Sequence, residues 1–87
     1  MSAALQIYYT AFDAAFFKLP LNVRTRIEAK IDDMGRRLDT FPHHRLIGSD
    51  RFRLRVGDFR VIYTFSVKEG VIHLLAVGNR REIYRRL

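Results

Sequence analysis

No cysteine occurs among the 87 residues. That excludes a disulfide framework and a thiolate metal site, and it suits a reducing compartment. No stretch reaches the roughly 18 apolar residues that a membrane-spanning helix needs. The N-terminus also lacks the charged segment and apolar run of a secretory leader, so a cytoplasmic protein that makes no membrane contact is expected. Two adjacent histidines and scattered carboxylates do not have metal-ligand spacing, and no metal is expected. There is no repeat, low-complexity segment or internal linker, so residues 1–87 read as a single domain. A hydrophobic content of 48% with 13% aromatics excludes a disordered chain.

Negative charge is scarce in one half. Residues 1–44 carry six basic and five acidic side chains, whereas residues 45–87 carry ten and four. Thirteen of the sixteen basic residues are arginine. Arginine presents a planar, permanently charged donor fork that matches phosphate, while lysine is the commoner choice for solubility. The second half therefore points to a polyanion, with nucleic acid first.

Periodicity supplies the elements. Leu5–Tyr9 reads as an opening strand, and Thr10 with Asp13 resembles a capping box for a short helix from Ala11 to about Lys18. Pro20 opens a second helix near its first position. There Val23, Ile27, Ile31, Met34 and Leu38 form an amphipathic stripe, with Arg24, Glu28, Lys30, Asp32 and Arg37 mostly on the wet side. Gly35 weakens this helix without ending it. Residues 39–50 read as a connecting loop. From Arg51 the period becomes two: Phe52, Leu54 and Val56 alternate with Arg51, Arg53 and Arg55. Gly57-Asp58 signals a type II′ hairpin turn, and Phe59, Val61, Tyr63 and Phe65 continue on the next strand. Val71–Val77 is apolar on both faces apart from His73, as in a central strand, ended by Gly78-Asn79. Residues 80–87 form a charged tail. The fold class is α+β, with a small antiparallel sheet in the order β-α-α-β-β-β and an N-terminal helical hairpin packed on one face. Tyr8, Tyr9, Phe12, Phe16 and Phe17 read as core and helix–sheet packing.

A two-residue turn places Val56 opposite Phe59, Leu54 opposite Val61 and Phe52 opposite Tyr63. On the other face Arg55 meets Arg60, with Arg53 beside Ile62. Like charges directly opposite in a sheet are destabilising, so selection for folding alone disfavours this pair, and an anion across it reverses the sign. The next hairpin brings Gly78 or Asn79 opposite Arg60 and Arg80 into the same neighbourhood. The plainer reading is a solvated face that blocks edge pairing. Cross-strand placement and the net charge of this half favour a phosphate site.

The stretches His43-His44-Arg45-Leu46-Ile47-Gly48 and Phe52-Arg53-Leu54-Arg55-Val56-Gly57-Asp58-Phe59-Arg60-Val61-Ile62-Tyr63 resemble the second half of RelE-type toxins. The ending Val77-Gly78-Asn79-Arg80-Arg81-Glu82-Ile83-Tyr84 is similar to that family's terminal signature. The resemblance covers nearly the whole chain and is to the RelE/ParE toxin superfamily. It implies an mRNA endonuclease of a toxin–antitoxin pair, acting in the ribosomal A site, held inactive by a cognate antitoxin and needing no metal or small-molecule cofactor. The implied reaction is attack by the substrate's own 2′-hydroxyl, leaving a 2′,3′-cyclic phosphate. By motif position Arg53, Arg55, Arg60, Arg80 and Tyr84 are the catalytic candidates, with Tyr84 as the proton-transfer candidate. Arg45, Arg51, Arg81, Arg85 and Arg86 are candidates for RNA backbone contact.

Two features depart from that pattern or stand outside it. Arg53 and Arg55 stand where RelE-type enzymes often have lysines, and a guanidinium does not act as a base near neutral pH. His43 and His44 have suitable ordinary pKa values, but they precede the strand and their reach is not fixed by sequence. His73 reads as a satisfied core or edge histidine, and Tyr84 alternatively anchors the tail. The competing functions are a ParE-like inhibitor of DNA gyrase, which shares the fold, and a non-catalytic RNA-binding module.

Overall fold

The computed structural model describes residues 3–85. Residues 1, 2, 86 and 87 and the side chains of Tyr84 and Arg85 lie outside that description. Strand β1 (Leu5–Tyr8) leads into α1 (Thr10–Phe16) and α2 (Leu21–Arg36). Then follow β2 (His44–Arg45), β3 (Phe52–Val56), β4 (Phe59–Ser66), β5 (Val71–Asn79) and α3 (Glu82–Arg85). The strands form one sheet in the order β1-β5-β4-β3-β2. Its pairings are antiparallel except that β1 runs parallel to β5. The sheet is thus mixed, not purely antiparallel as expected. Between these parallel neighbours the chain passes through α1, α2 and strands β2, β3 and β4, since no short turn can join parallel strands.

The apolar stripe of α2 buries as anticipated. Ile27, Ile31 and Met34 are fully buried, and Leu38 joins them from just beyond the helix end. They meet Leu54, Val56, Val61, Tyr63, Ile72, Leu74 and Val77 from the sheet, with Phe12 and Phe16 from α1. Tyr8 and Phe17, expected in the same packing, are 43% and 65% exposed and lie at its margin against Phe12 and Phe16, while Tyr9, also expected there, is 45% exposed and meets His73 instead. Pro20 is the N-cap of α2, one position earlier than expected. Tyr9, not Thr10, caps α1, and no side chain completes the cap, so the expected capping box does not form. The Asp13 N–H is taken instead by the Tyr9 carbonyl at 3.0 Å.

Three further differences concern the second half. The segment read as a loop contains β2, whose two residues pair with Phe52 and Arg53. Strand β5 runs on to Asn79, and the charged tail contains α3. The Asn79 side-chain oxygen accepts hydrogen bonds from the Arg81 and Glu82 N–H groups at 3.0 and 2.9 Å, which starts that short helix. One extra residue on β5, Leu75, falls between the pairs Ile62–Ala76 and Tyr63–Leu74.

The β3–β4 turn is as anticipated. Gly57 has φ +59°, and no described non-glycine residue has a positive φ, which fits type II′ and excludes type I′. A Cβ on Gly57 would also meet an Arg26 guanidinium nitrogen at 3.2 Å. Gly57→Ala is therefore expected to cost about 1–2 kcal/mol in urea unfolding, from left-handed backbone strain. A variant as stable as wild type would contradict this geometry.

Candidate functional site

Strand register turns the arginine pattern into a cluster. Arg55 is the Cα partner of Arg60, Arg53 pairs with Ile62, and Arg60 pairs with Gly78 on its other side. Directly opposite residues present their side chains to the same face. Arg53, Arg55, Arg60 and Gly78 therefore look away from α1 and α2. The pairing expected from a two-residue turn is met at every position from Phe52–Tyr63 to Val56–Phe59.

The two facing arginines have different surroundings. Arg55 is exposed. Arg60 is only 6% exposed, and its Nη1 donates to the carbonyls of Gly57 and Phe59 at 3.2 and 3.1 Å. Its Nε is buried and finds no acceptor among the described residues. An unfilled donor of this kind costs about 1–3 kcal/mol, and an anionic oxygen in reach would remove that cost. Sequence alternation alone suggested a solvent-facing arginine. Helix α3 lies on its side of the sheet, since a Cβ on Gly78 would meet Ile83 Cδ1 at 3.6 Å and Ile83 is 1% exposed.

The Gly57–Asp58 turn also gathers Arg80, whose N–H donates to the Asp58 carbonyl at 2.9 Å. The chain at Arg80 thus lies against the hairpin that holds the Arg60 guanidinium. Arg80 and Arg81 are exposed. Tyr84 is in α3, but its side chain, like that of Arg85, lies outside the described residues, as does Arg86. Arg51 is exposed in the loop before β3, where its N–H donates to Ser49 Oγ at 3.0 Å. Arg45 is not brought to this face. It pairs with Phe52, and its guanidinium carbon lies 5.3 Å from that ring's centroid.

The three histidines separate clearly. His43 lies on the core side, stacked on Phe65 with centroids 3.8 Å apart and flanked by Phe41, Phe52 and Tyr63. Its Nε2 is 2.8 Å from the Leu38 carbonyl and its Nδ1 is 2.6 Å from the Tyr63 hydroxyl. A carbonyl only accepts, so Nε2 carries the proton and Nδ1 accepts from the tyrosine. Burial pushes the Tyr63 phenol above its ordinary pKa, which keeps it the donor. Both ring nitrogens are thus occupied. In the sequence His43 reads like its neighbour His44, so this role was not legible there. His73 pairs with Thr64, and its Nδ1 is 3.3 Å from the Tyr9 hydroxyl, in keeping with a satisfied histidine. His44 pairs with Arg53 and is exposed, so it joins the arginine face from β2. Among the described residues no group of three histidines or carboxylates is placed to hold a metal ion.

The family model for the ParE toxin of type II toxin–antitoxin systems matches residues 4–84. Comparison with curated protein sequences returns no match. Solved structures similar to this one include isolated RelE toxin from E. coli, at 17% identity and a TM-score of 0.75, with 97% of this chain and 94% of that one covered. The archaeal RelE–RelB complex from Pyrococcus horikoshii OT3 gives 24% identity and a TM-score of 0.73, with 93% and 99% covered. The RelBE2 toxin–antitoxin complex from Mycobacterium tuberculosis gives 20% identity and a TM-score of 0.73, with 94% and 97% covered. At these identities the likeness is one of fold.

Two measurements check the geometry. Arg55→Gln removes one member of a like-charge pair and is expected to raise stability by a few tenths of a kcal/mol at low ionic strength. A single-stranded oligoribonucleotide should raise the melting temperature of wild type more than that of the variant. Destabilisation by Arg55→Gln, with equal oligonucleotide shifts, would refute an anion site there. Tyr63→Phe leaves His43 Nδ1 without its donor and is expected to cost about 1–2 kcal/mol in urea unfolding.

Proposed function

The chain belongs to the ParE toxin family of the RelE/ParE superfamily and is a toxin of a toxin–antitoxin system, and from that premise we propose that it is an endoribonuclease cutting mRNA in the ribosomal A site. The observation that carries the reading is the Arg55–Arg60 pair on the face opposite α1 and α2, where two like charges are set directly across from each other. Such a pair is costly alone and favourable around a phosphodiester.

In the proposed reaction the substrate's 2′-oxygen attacks the adjacent phosphorus and the P–O5′ bond breaks. The products are a 2′,3′-cyclic phosphate and a 5′-hydroxyl. Negative charge grows on the phosphoryl oxygens in the transition state. Arg60, held by two carbonyls of its own hairpin, is a pre-organised donor that needs little rearrangement as that charge develops. Arg53, Arg55 and Arg80 bind and orient the phosphate around it. Tyr84 stacks on or orients the base and takes part in proton transfer. Arg51, Arg81, Arg85 and Arg86 contact the RNA backbone, and Arg45 does so from the opposite face. The partners in this reading are a cognate antitoxin, the ribosome and mRNA. The RelE–RelB and RelBE2 complexes among the similar structures support the first of these.

One observation favours a second reading. The matching family model is that of ParE toxins, which accords with binding to DNA gyrase without RNA cleavage. The set Arg60, Arg80 and Tyr84 favours cleavage, because it supplies charge neutralisation together with a phenol.

Induced expression followed by mapping of mRNA 5′ ends separates the two. Wild type is expected to arrest growth and leave cuts in phase with codons. Arg80→Ala and Tyr84→Ala are each expected to lose about 10²–10³-fold in cleavage. Arrest with intact mRNA and broken DNA would refute the ribonuclease reading.

A further inference from the structure

Strand β2 is only two residues long, yet its register adds what the arginines lack. His44 is the Cα partner of Arg53, which puts the imidazole on the face that carries Arg53, Arg55 and Arg60. Successive strand residues point to opposite faces, so His43 is committed to the core and His44 to the arginines. His44 is exposed. The third histidine, His73, also faces this way, but it pairs with Thr64, four pairs along the ladder from Arg60. Its Nδ1 already faces the Tyr9 hydroxyl at 3.3 Å. Guanidinium groups do not release protons in proteins. Beside the cluster, His44 is thus the described side chain of a type that can take up and release a proton, as guanidinium groups do not. Directly opposite side chains lie about 5 Å apart at Cβ and diagonal ones roughly 7–8 Å. A ribose whose phosphate rests on Arg55 therefore lies within reach of the imidazole.

We propose that His44 is the proton acceptor of the cleavage step, taking the proton of the 2′-hydroxyl next to the scissile phosphate. The inference rests on the ribonuclease reading above. The imidazole nitrogen takes the proton as the O2′–H bond breaks, and the freed electron pair forms the O2′–P bond. The P–O5′ bond breaks with its pair left on O5′, which takes a proton from the Tyr84 phenol of the reading above, and water then reprotonates the tyrosine. His44 then returns its proton to solvent. This assignment fills the gap left by arginine at 53 and 55, since the acceptor comes from the edge strand and not from those positions.

The test uses full-length protein on ribosome-bound mRNA, with single-turnover rates measured from about pH 5.5 to 8.5. Across from His44 on β3 stand Arg53 directly and Arg55 diagonally, and the loop joining β2 to β3 carries Asp50 and Arg51. Helices α1 and α2 pack on the opposite face. Wild-type rates are expected to climb about tenfold per pH unit on the acid side and to level off above the histidine pKa. His44→Gln should lose that limb and about 10²–10³-fold in rate, with half-saturation changed less than about threefold. Added imidazole should restore part of the activity of His44→Ala, which guards against a variant that is merely misfolded. His43→Gln is expected to lower the melting temperature and keep the pH limb. If wild type cleaves and His44→Gln cleaves within threefold of it with the same limb, the inference fails and the ribonuclease reading stands. If wild type leaves ribosome-bound mRNA intact, that reading falls first and the inference with it.

Discussion

The two-residue turn at Gly57–Asp58 is the constraint from which both faces of the sheet follow. With Gly57 in the left-handed region, β3 and β4 meet in one register, and that register sets Leu54 on Val61 and Arg55 on Arg60 together. A slip of one residue would turn the apolar set out to water and drive Arg53 and Arg55 beneath α2. Unpaired charges buried there would cost several kcal/mol each. The hydrophobic core therefore enforces the register that sets Arg55 opposite Arg60. The same turn supplies the carbonyls that bind Arg60 Nη1 and the Arg80 N–H.

The fold relieves the repulsion it creates by treating the two arginines differently. Arg55 stays in water, where the high dielectric weakens the interaction. Arg60 withdraws onto backbone carbonyl dipoles and loses nearly all its exposure. The result is one solvent-exposed guanidinium and one held by backbone carbonyls on opposing strand positions. An exposed donor captures a flexible strand, and a held one is already oriented when charge appears. Even a face that only bound phosphate would have this asymmetry, because it follows from packing.

Much of this was legible in the sequence because it rests on local periodicity. The alternation of residues 52–56, the Gly-Asp turn and the stripe of α2 each stand within a few residues, and together they gave the arginine pairing correctly. What was not legible depends on contacts between distant segments. A two-residue strand such as β2 shows no period, and both its residues are exposed. The parallel pairing of β1 with β5 joins residues 66 apart, as at Leu5 and Val71. The burial of Arg60 goes with a guanidinium folded back onto its own hairpin, which strand alternation does not foretell. The two adjacent histidines read alike in the sequence, and only the ring contacts of His43 and the strand register of His44 separate them.

Proteins of this superfamily share a fold, and at 17–24% identity the structural likeness carries the fold alone. Function has to be argued from the side chains on the face opposite the helices. A cluster of arginines there attracts RNA and DNA alike, because both offer the same phosphates. Charge alone therefore does not separate a nuclease from a poison of a DNA enzyme. Proton transfer does, because breaking a phosphodiester by 2′-hydroxyl attack requires a proton to leave that hydroxyl, while binding requires no such step. Arginine at both 53 and 55 removes the acceptor that lysine would offer there. Under the ribonuclease reading the distinction between cutting and binding therefore turns on His44 and on Tyr84.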